Sequence, residues 1–274
     1  MTASPSPEKN SAPFKIGLVG YGKMGASMVS AWKKSNLIDS IDVLDTFAID
    51  NFIIKDEKEF LSKSMEWDIL VLAVKPQNLD VLFAEQEIKI PENLLILSIL
   101  AGKTLMDLSD KFRGNRPIVR CMPNTPASIG KGMSVAIANN SVTAAQKDMV
   151  FRLLSEIGLF AWTNNESDMD IVTAMSGSGP AYVFYMIEAM SMAGEKAGLS
   201  PEFSMMLARQ TIIGSAALAE HAMGETVESL RKNVTSPNGT TAAGLCVLMD
   251  GRFQEILNET IYRAAARSKE LSSS

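Results

Sequence analysis

The chain has 274 residues, 46% of them hydrophobic, which is enough for two modest domains and too apolar for wholesale disorder. A net charge of -5 and a pI near 5.1 argue against nucleic-acid binding as the main task. Two cysteines, Cys121 and Cys246, form no CxxC pair and no metal-ligand spacing, as expected of a reduced cytoplasmic protein without a metal site. The longest apolar runs, Ile69–Val74 and Leu94–Ala101, are too short to span a bilayer, so no membrane partner is expected.

Met1 to Pro13 is rich in Ser, Pro and Ala and lacks the apolar stretch of a signal peptide; it reads as a disordered tail. From there to Asn164, short apolar runs alternate with amphipathic segments. The strand candidates are Phe14–Gly20, Ile41–Asp45, Asn51–Ile54, Trp67–Val74, Asn93–Leu100 and Pro117–Met122. Met24, Met28 and Trp32 share one face of a helix over Met24–Lys33. Met133–Asn139 and a helix over Thr143–Gly158 close this half. The alternation predicts a doubly wound sheet over residues 14–164. Strand signals then vanish, and residues 165–274 read as helices: Asp168–Ala197 interrupted at Ser176–Pro180, Pro201–Met223 with Ser200 as N-cap, Thr240–Met249 and Arg252–Lys269. Wide apolar faces on these helices suit a bundle or a subunit contact. The single histidine, His221, falls at a helix end, so a mechanism that needs a histidine acid is not expected.

Gly20-Tyr21-Gly22-Lys23-Met24-Gly25 is a GxGxxG turn between an apolar strand and an amphipathic helix, with Asp45 lying 20 positions beyond Gly25. In that context Gly20 makes a tight turn, Gly22 admits a pyrophosphate and Gly25 lets helix and strand pack closely. Lys23 and Met24 open a helix whose free amides favour phosphate. Asp45, at the strand end, suits the hydroxyls of an adenosine ribose and would repel a 2′-phosphate, with no Lys or Arg following until Lys55. A glycine turn without ligand and a solvated strand-end carboxylate are the plain alternatives.

Four more segments are similar to the pyrroline-5-carboxylate reductase family: Ala73-Val74-Lys75-Pro76-Gln77, Met122-Pro123-Asn124-Thr125-Pro126, Ser176-Gly177-Ser178-Gly179-Pro180-Ala181-Tyr182 and Thr235-Ser236-Pro237-Asn238-Gly239-Thr240-Thr241. Their order and spacing match the family from Phe14 to Leu271. The resemblance implies an α/β fold, an N-terminal Rossmann-like doubly wound sheet followed by an all-α dimerisation domain. It implies reduction of a cyclic imine, 1-pyrroline-5-carboxylate, to L-proline with NADPH or NADH. The assembly it implies is a homodimer or a ring of dimers. On this resemblance Ala73, Val74, Lys75 and Pro76 line the cofactor, Lys75, near nicotinamide and substrate, is a catalytic candidate beside Thr241, and Asn233 contacts the cofactor from the helical domain. Gly239, Thr240 and Thr241 bind the substrate, and Thr241 reaches the imine nitrogen. Helix capping would equally suit Thr241, a solvated loop suits Lys75, and Asn124 has an equal claim as a loop-shaping residue.

The chain departs from the family pattern after the second strand, where Asp45-Thr46-Phe47 replaces an Asn-Arg-Ser type sequence suited to NADPH and the following helix is nearly absent. NADH preference is the expectation. Asn238 stands where Gly is common and Lys232 where an acidic residue is common. Two other readings differ in class. A beta-hydroxyacid dehydrogenase-like oxidoreductase needs a lysine followed four residues later by asparagine, whereas Lys196 is followed by Ser200. A non-catalytic NAD(P)-binding regulator would keep the glycine turn but has no need of the Thr235–Thr241 loop.

Overall fold

The computed structural model describes residues 13–79, 81–82 and 90–272, so the tail expected over 1–13 lies, Pro13 apart, outside the described residues. The chain divides into two compact units: one runs up to Gly177 and regains the chain from Ala265 onward, the other is Ser178–Ala264. This division differs from the expected one between 164 and 165. Met169 of α5 (Asp168–Val172) is fully buried with Met122 and Ile137 of the sheet. The Ser268 hydroxyl donates to Asp170 Oδ1 at 2.7 Å, so the end of the last helix also belongs with the sheet.

In the first unit β1 (Phe14–Val19), α1 (Lys23–Lys34), β2 (Ile38–Leu44), β3 (Ile53–Ile54), α2 (Glu57–Ser62), β4 (Ile69–Leu72), β5 (Leu95–Ser98), α3 (Leu105–Phe112), β6 (Ile118–Met122), β7 (Gly132–Ala138), α4 (Ala144–Ser155) and β8 (Gly158–Trp162) follow in order. The strands form one sheet in the order β3-β2-β1-β4-β5-β6-β7-β8. All pairs are parallel except β6–β7. The order 3-2-1-4-5-6 is that of the doubly wound dinucleotide fold, with its topological switch between β1 and β4.

The period of two explains why whole apolar runs are buried. Ile69 and Val71 face one core with Met28, Val29 and Trp32 of α1 and Leu153 and Leu154 of α4. Leu70 and Leu72 face the other, with Phe60 of α2 and Leu108 and Phe112 of α3. Trp32 Nε1 donates to the Leu153 carbonyl at 2.8 Å, joining α1 to α4 across the first core.

Several expected bounds shift. The second strand starts earlier, at Ile38, and leaves Asp45 just beyond its end; only Ile53–Ile54 of the third candidate pairs. Thr143 caps α4 in a reciprocal box with Gln146. The helix stops at Ser155 because Gly158, at φ +140, turns the chain into β8, a strand not expected from sequence.

The second unit holds α6 (Gly179–Lys196), α7 (Pro201–His221), α8 (Val227–Asn233), α9 (Thr240–Leu248) and most of α10 (Arg252–Ser272). Ser200 caps α7 as expected, its hydroxyl accepting from Phe203 N–H at 3.3 Å. Gly194 of α6 lies so close to Ser204 of α7 that an added Cβ would sit 2.9 Å from its hydroxyl oxygen. His221 is exposed at the end of α7. Among the described residues no helix is long and apolar enough to cross a membrane.

Candidate functional site

The glycine turn lies beyond β1, at the switch point. Gly20 has φ +99, and a Cβ there would lie 2.6 Å from the Ala73 carbonyl carbon, so a side chain is excluded on both counts. A Cβ on Gly25 would strike the Gly20 carbonyl oxygen, which fixes how closely α1 approaches β1. At Gly22, the N-cap of α1, an added Cβ would meet nothing within 4 Å. No side chain caps α1, and its first bond runs from Ala26 N–H to the Gly22 carbonyl at 2.9 Å. The amides of residues 22–25 therefore have no acceptor inside the helix and present the positive end of its dipole.

A cleft of about 630 Å³ opens over this turn, lined by Gly20, Gly22, Asp45, Thr46, Phe47, Glu57, Ala73, Val74, Lys75, Gln77 and Asn78 among others. Six of the expected cofactor residues thus share one wall: Gly20, Gly22, Asp45, Ala73, Val74 and Lys75. Gly25 is buried behind the turn, Lys23 and Met24 form the first turn of α1, and Pro76 opens a short 3-10 turn over Pro76–Asn78. As Pro76 requires, Lys75 is extended, at φ -67 and ψ 141. A volume of this size, open space beside Gly22 and unpaired amides fit a dinucleotide.

Asp45 is already committed to hydrogen bonds. Its Oδ2 accepts from Tyr21 N–H at 2.7 Å, inside the glycine turn. Its Oδ1 accepts from Phe47 N–H at 2.7 Å and Ala48 N–H at 2.8 Å. Lys55 Nζ closes the turn by donating to the carbonyls of Asp45, at 2.8 Å, and Ala48. Burial alone would raise the Asp45 carboxyl; the amides of Tyr21, Ala48 and Phe47 and the charge of Lys55 outweigh it and hold the group below its ordinary 3.8. Sequence reading missed Glu57 and Asn78 in this wall. Glu57 stands at the start of α2, and the Asp56 cap before it was the available signal.

Asn124 has a structural task. Its Nδ2 donates to the Ser176 carbonyl at 3.2 Å and hydroxyl at 3.3 Å, and its Oδ1 accepts from Met133 N–H at 2.9 Å. Two of the segments that carry the family likeness are thereby tied together, next to a π-turn over Thr173–Gly177. Below them Arg120, buried in β6, pairs with Glu166 at 3.0 Å, and the same Glu166 Oε1 accepts from Leu105 N–H at 2.8 Å. Burial pushes the neighbouring Cys121 thiol up, which keeps it protonated and inert.

In the helical unit, Ser236-Pro237-Asn238-Gly239 is a turn closed by Gly239 N–H to the Ser236 carbonyl at 3.1 Å. Asn238 has φ 58, and Asn is the residue after Gly that best tolerates this left-handed conformation. A Cβ on Gly239 would collide with the Ser236 hydroxyl. Gly239 is the N-cap of α9 and no side chain caps the helix, so the capping role open to Thr241 is not used. Thr240 and Thr241 are exposed in its first turn. Asn233, the last residue of α8, donates from Nδ2 to Glu225 Oε2 at 3.4 Å.

Switch-point cleft, glycine turn and acidic strand end define the first unit as a dinucleotide-binding domain of the oxidoreductase type. The family model for pyrroline-5-carboxylate reductase dimerisation matches residues 166–271. A pyrroline-5-carboxylate reductase of Pseudomonas aeruginosa is 37% identical over 94% of this chain and 96% of its own length. The solved structure of a pyrroline-5-carboxylate reductase from Coxiella burnetii superposes with TM-score 0.86 at 31% identity, covering 94% of this chain and 98% of that one. The Plasmodium falciparum pyrroline carboxylate reductase, solved with NADP bound, gives TM-score 0.78 at 30% identity over 96% of this chain and 100% of that one. The chain belongs to the pyrroline-5-carboxylate reductase family.

Proposed function

We propose that this chain reduces 1-pyrroline-5-carboxylate to L-proline, the last step of proline biosynthesis, in the cytoplasm and as a homodimer or ring of dimers. The observation that carries the reading is the glycine-turn cleft, in a chain 37% identical to a named reductase over nearly its whole length. Bound NADH or NADPH supplies the hydride. A protonated imine is already electrophilic, so the protein needs no strong general acid, in keeping with a single histidine on an exposed helix end. Its own tasks are orientation and charge capture. The α1 amides take pyrophosphate, and the Ala73–Pro76 run borders the nicotinamide with Lys75. The amides at the start of α9, beyond Gly239, suit the substrate carboxylate, while the Thr241 hydroxyl bonds the imine nitrogen and Asn233 adds a cofactor contact.

For the cofactor we propose NADH over NADPH. Asp45 and Glu57 put two carboxylates in the cleft wall, and Lys55 is occupied by the carbonyls of Asp45 and Ala48. Repulsion of a 2′-phosphate at this half-open site amounts to about 1 kcal/mol. The test is oxidation of each dinucleotide by purified protein upon addition of pyrroline-5-carboxylate. Saturable turnover with the imine and a higher kcat/KM for NADH are expected. Absence of turnover with either cofactor overturns the reaction, and a tenfold preference for NADPH overturns only the cofactor choice.

A further inference from the structure

Phe47 is 89% exposed, an apolar ring held open to water at the rim of the cleft. Its backbone is firmly held, with Asp45 Oδ1 binding the amides of Phe47 and Ala48 and Lys55 bridging two carbonyls of the same turn. The other oxygen of Asp45 holds the Tyr21 amide at 2.7 Å, so the ring's base is tied to the turn that receives pyrophosphate. A carboxylate has about four acceptor directions. Three are taken, so Asp45 has little left for a ribose, and the group the turn still presents is the ring. In this fold the end of β2 receives the adenosine half of a dinucleotide. The Asp45 carboxylate at this strand end disfavours an anion there, whereas a neutral purine has a π-face that stacks on any aromatic ring.

We propose that Phe47 is the adenine platform of this chain, a preformed aromatic surface that supplies by stacking what charge recognition of a 2′-phosphate would supply elsewhere. The proposal rests on the dinucleotide reading above. Calorimetric titration of the full-length protein with ADP-ribose and with NADH tests it without turnover. Phe47→Ala weakens both ligands by roughly five- to 150-fold. Phe47→Leu, apolar but without a ring, falls in the same range, and Phe47→Trp stays near the parent. Because the side chain is exposed, the melting temperature of the unliganded protein is unchanged in all three. ADP-ribose binding by Phe47→Ala within about twofold of the parent, or parental binding by Phe47→Leu, overturns the platform alone. A parent that binds neither ligand overturns the dinucleotide reading along with it.

Discussion

The two units use the same apolar residue types in opposite ways. In the sheet unit the strand residues Ile69–Leu72 and Leu95–Ser98 are buried to the last side chain, with helices covering both faces. In the helical unit, among the described residues, the buried side chains are Ser191 of α6 and Ser204 and Ala208 of α7, while Phe184, Tyr185, Leu207, Ile213, Val247 and Leu248 stand open. Helix α9 has apolar residues around its circumference and none of them buried. A helix apolar all round belongs in an interior, and so large an exposed apolar surface marks an interface. A single copy thus completes the first core and leaves the second for another copy, which gives the match to a dimerisation model its physical content.

The sharpest way to break this contrast is to charge the open face. Val247→Glu with Leu248→Glu places two carboxylates on the exposed apolar face that a second copy is expected to cover, and an unpaired buried charge costs several kcal/mol. The parent should show no monomer by light scattering at micromolar concentration. The double variant should dissociate, and its melt should split, the helical unit unfolding first and the sheet unit keeping its own transition. A parent that is a monodisperse active monomer, or a variant that keeps both its assembly and a single melt, removes the argument.

Legibility from sequence follows the same divide. Runs buried on both sides, such as Ile69–Leu72, announce themselves because every position is apolar, and the glycine turn is readable because each glycine has a steric reason. Strand β8 was not readable: Phe160, Ala161 and Trp162 are only half buried at the sheet edge, and the helical pattern before Gly158 runs straight into it. Helix α3 left a mark that could have been used, the reciprocal cap between Thr104 and Asp107. The partners of Asn124 and Glu166 were beyond reach for another reason, since Ser176 and Arg120 lie 52 and 46 residues away and local spacing carries no trace of them. The occupied state of Asp45 depends likewise on Tyr21, 24 residues before it.

A smaller effect is expected at Thr241, and it should appear in rate rather than stability. As hydride arrives, the imine nitrogen changes from a cation to an amine, and a hydroxyl follows that change by rotation where a methyl does not. Loss of a hydrogen bond to a charged group costs about 1.5–3 kcal/mol, roughly a ten- to two-hundredfold drop in kcat/KM. Thr241→Ala should show that drop, and Thr241→Ser should keep most activity. Because Gly239 caps α9 without side-chain help, the melting temperature should hold. A fallen melting temperature with kcat/KM within about twofold of the parent would give Thr241 a structural role after all.

The smallest effect belongs to the sheet unit and depends on pH. Asp45 titrates below its ordinary 3.8 in the folded chain because three amides and Lys55 favour its charged form over the opposing effect of burial. A depressed carboxyl binds fewer protons folded than unfolded, so its stabilisation is complete above the unfolded value. It is lost as pH falls through the folded one. Asp45→Asn keeps one carbonyl acceptor but removes the charge and one of the two oxygens that hold the turn. For a half-buried group the cost should be about 1 kcal/mol at neutral pH, some 2–4 °C in melting temperature. The gap between parent and variant should then narrow as pH is lowered below about 4, because the parent loses by protonation what the variant never had. Melting curves of parent and variant at stepped pH measure this directly. A gap that stays constant down to acid pH would mean that shape, not charge, holds the turn, and that the amides of Tyr21, Phe47 and Ala48 accept a neutral partner equally well.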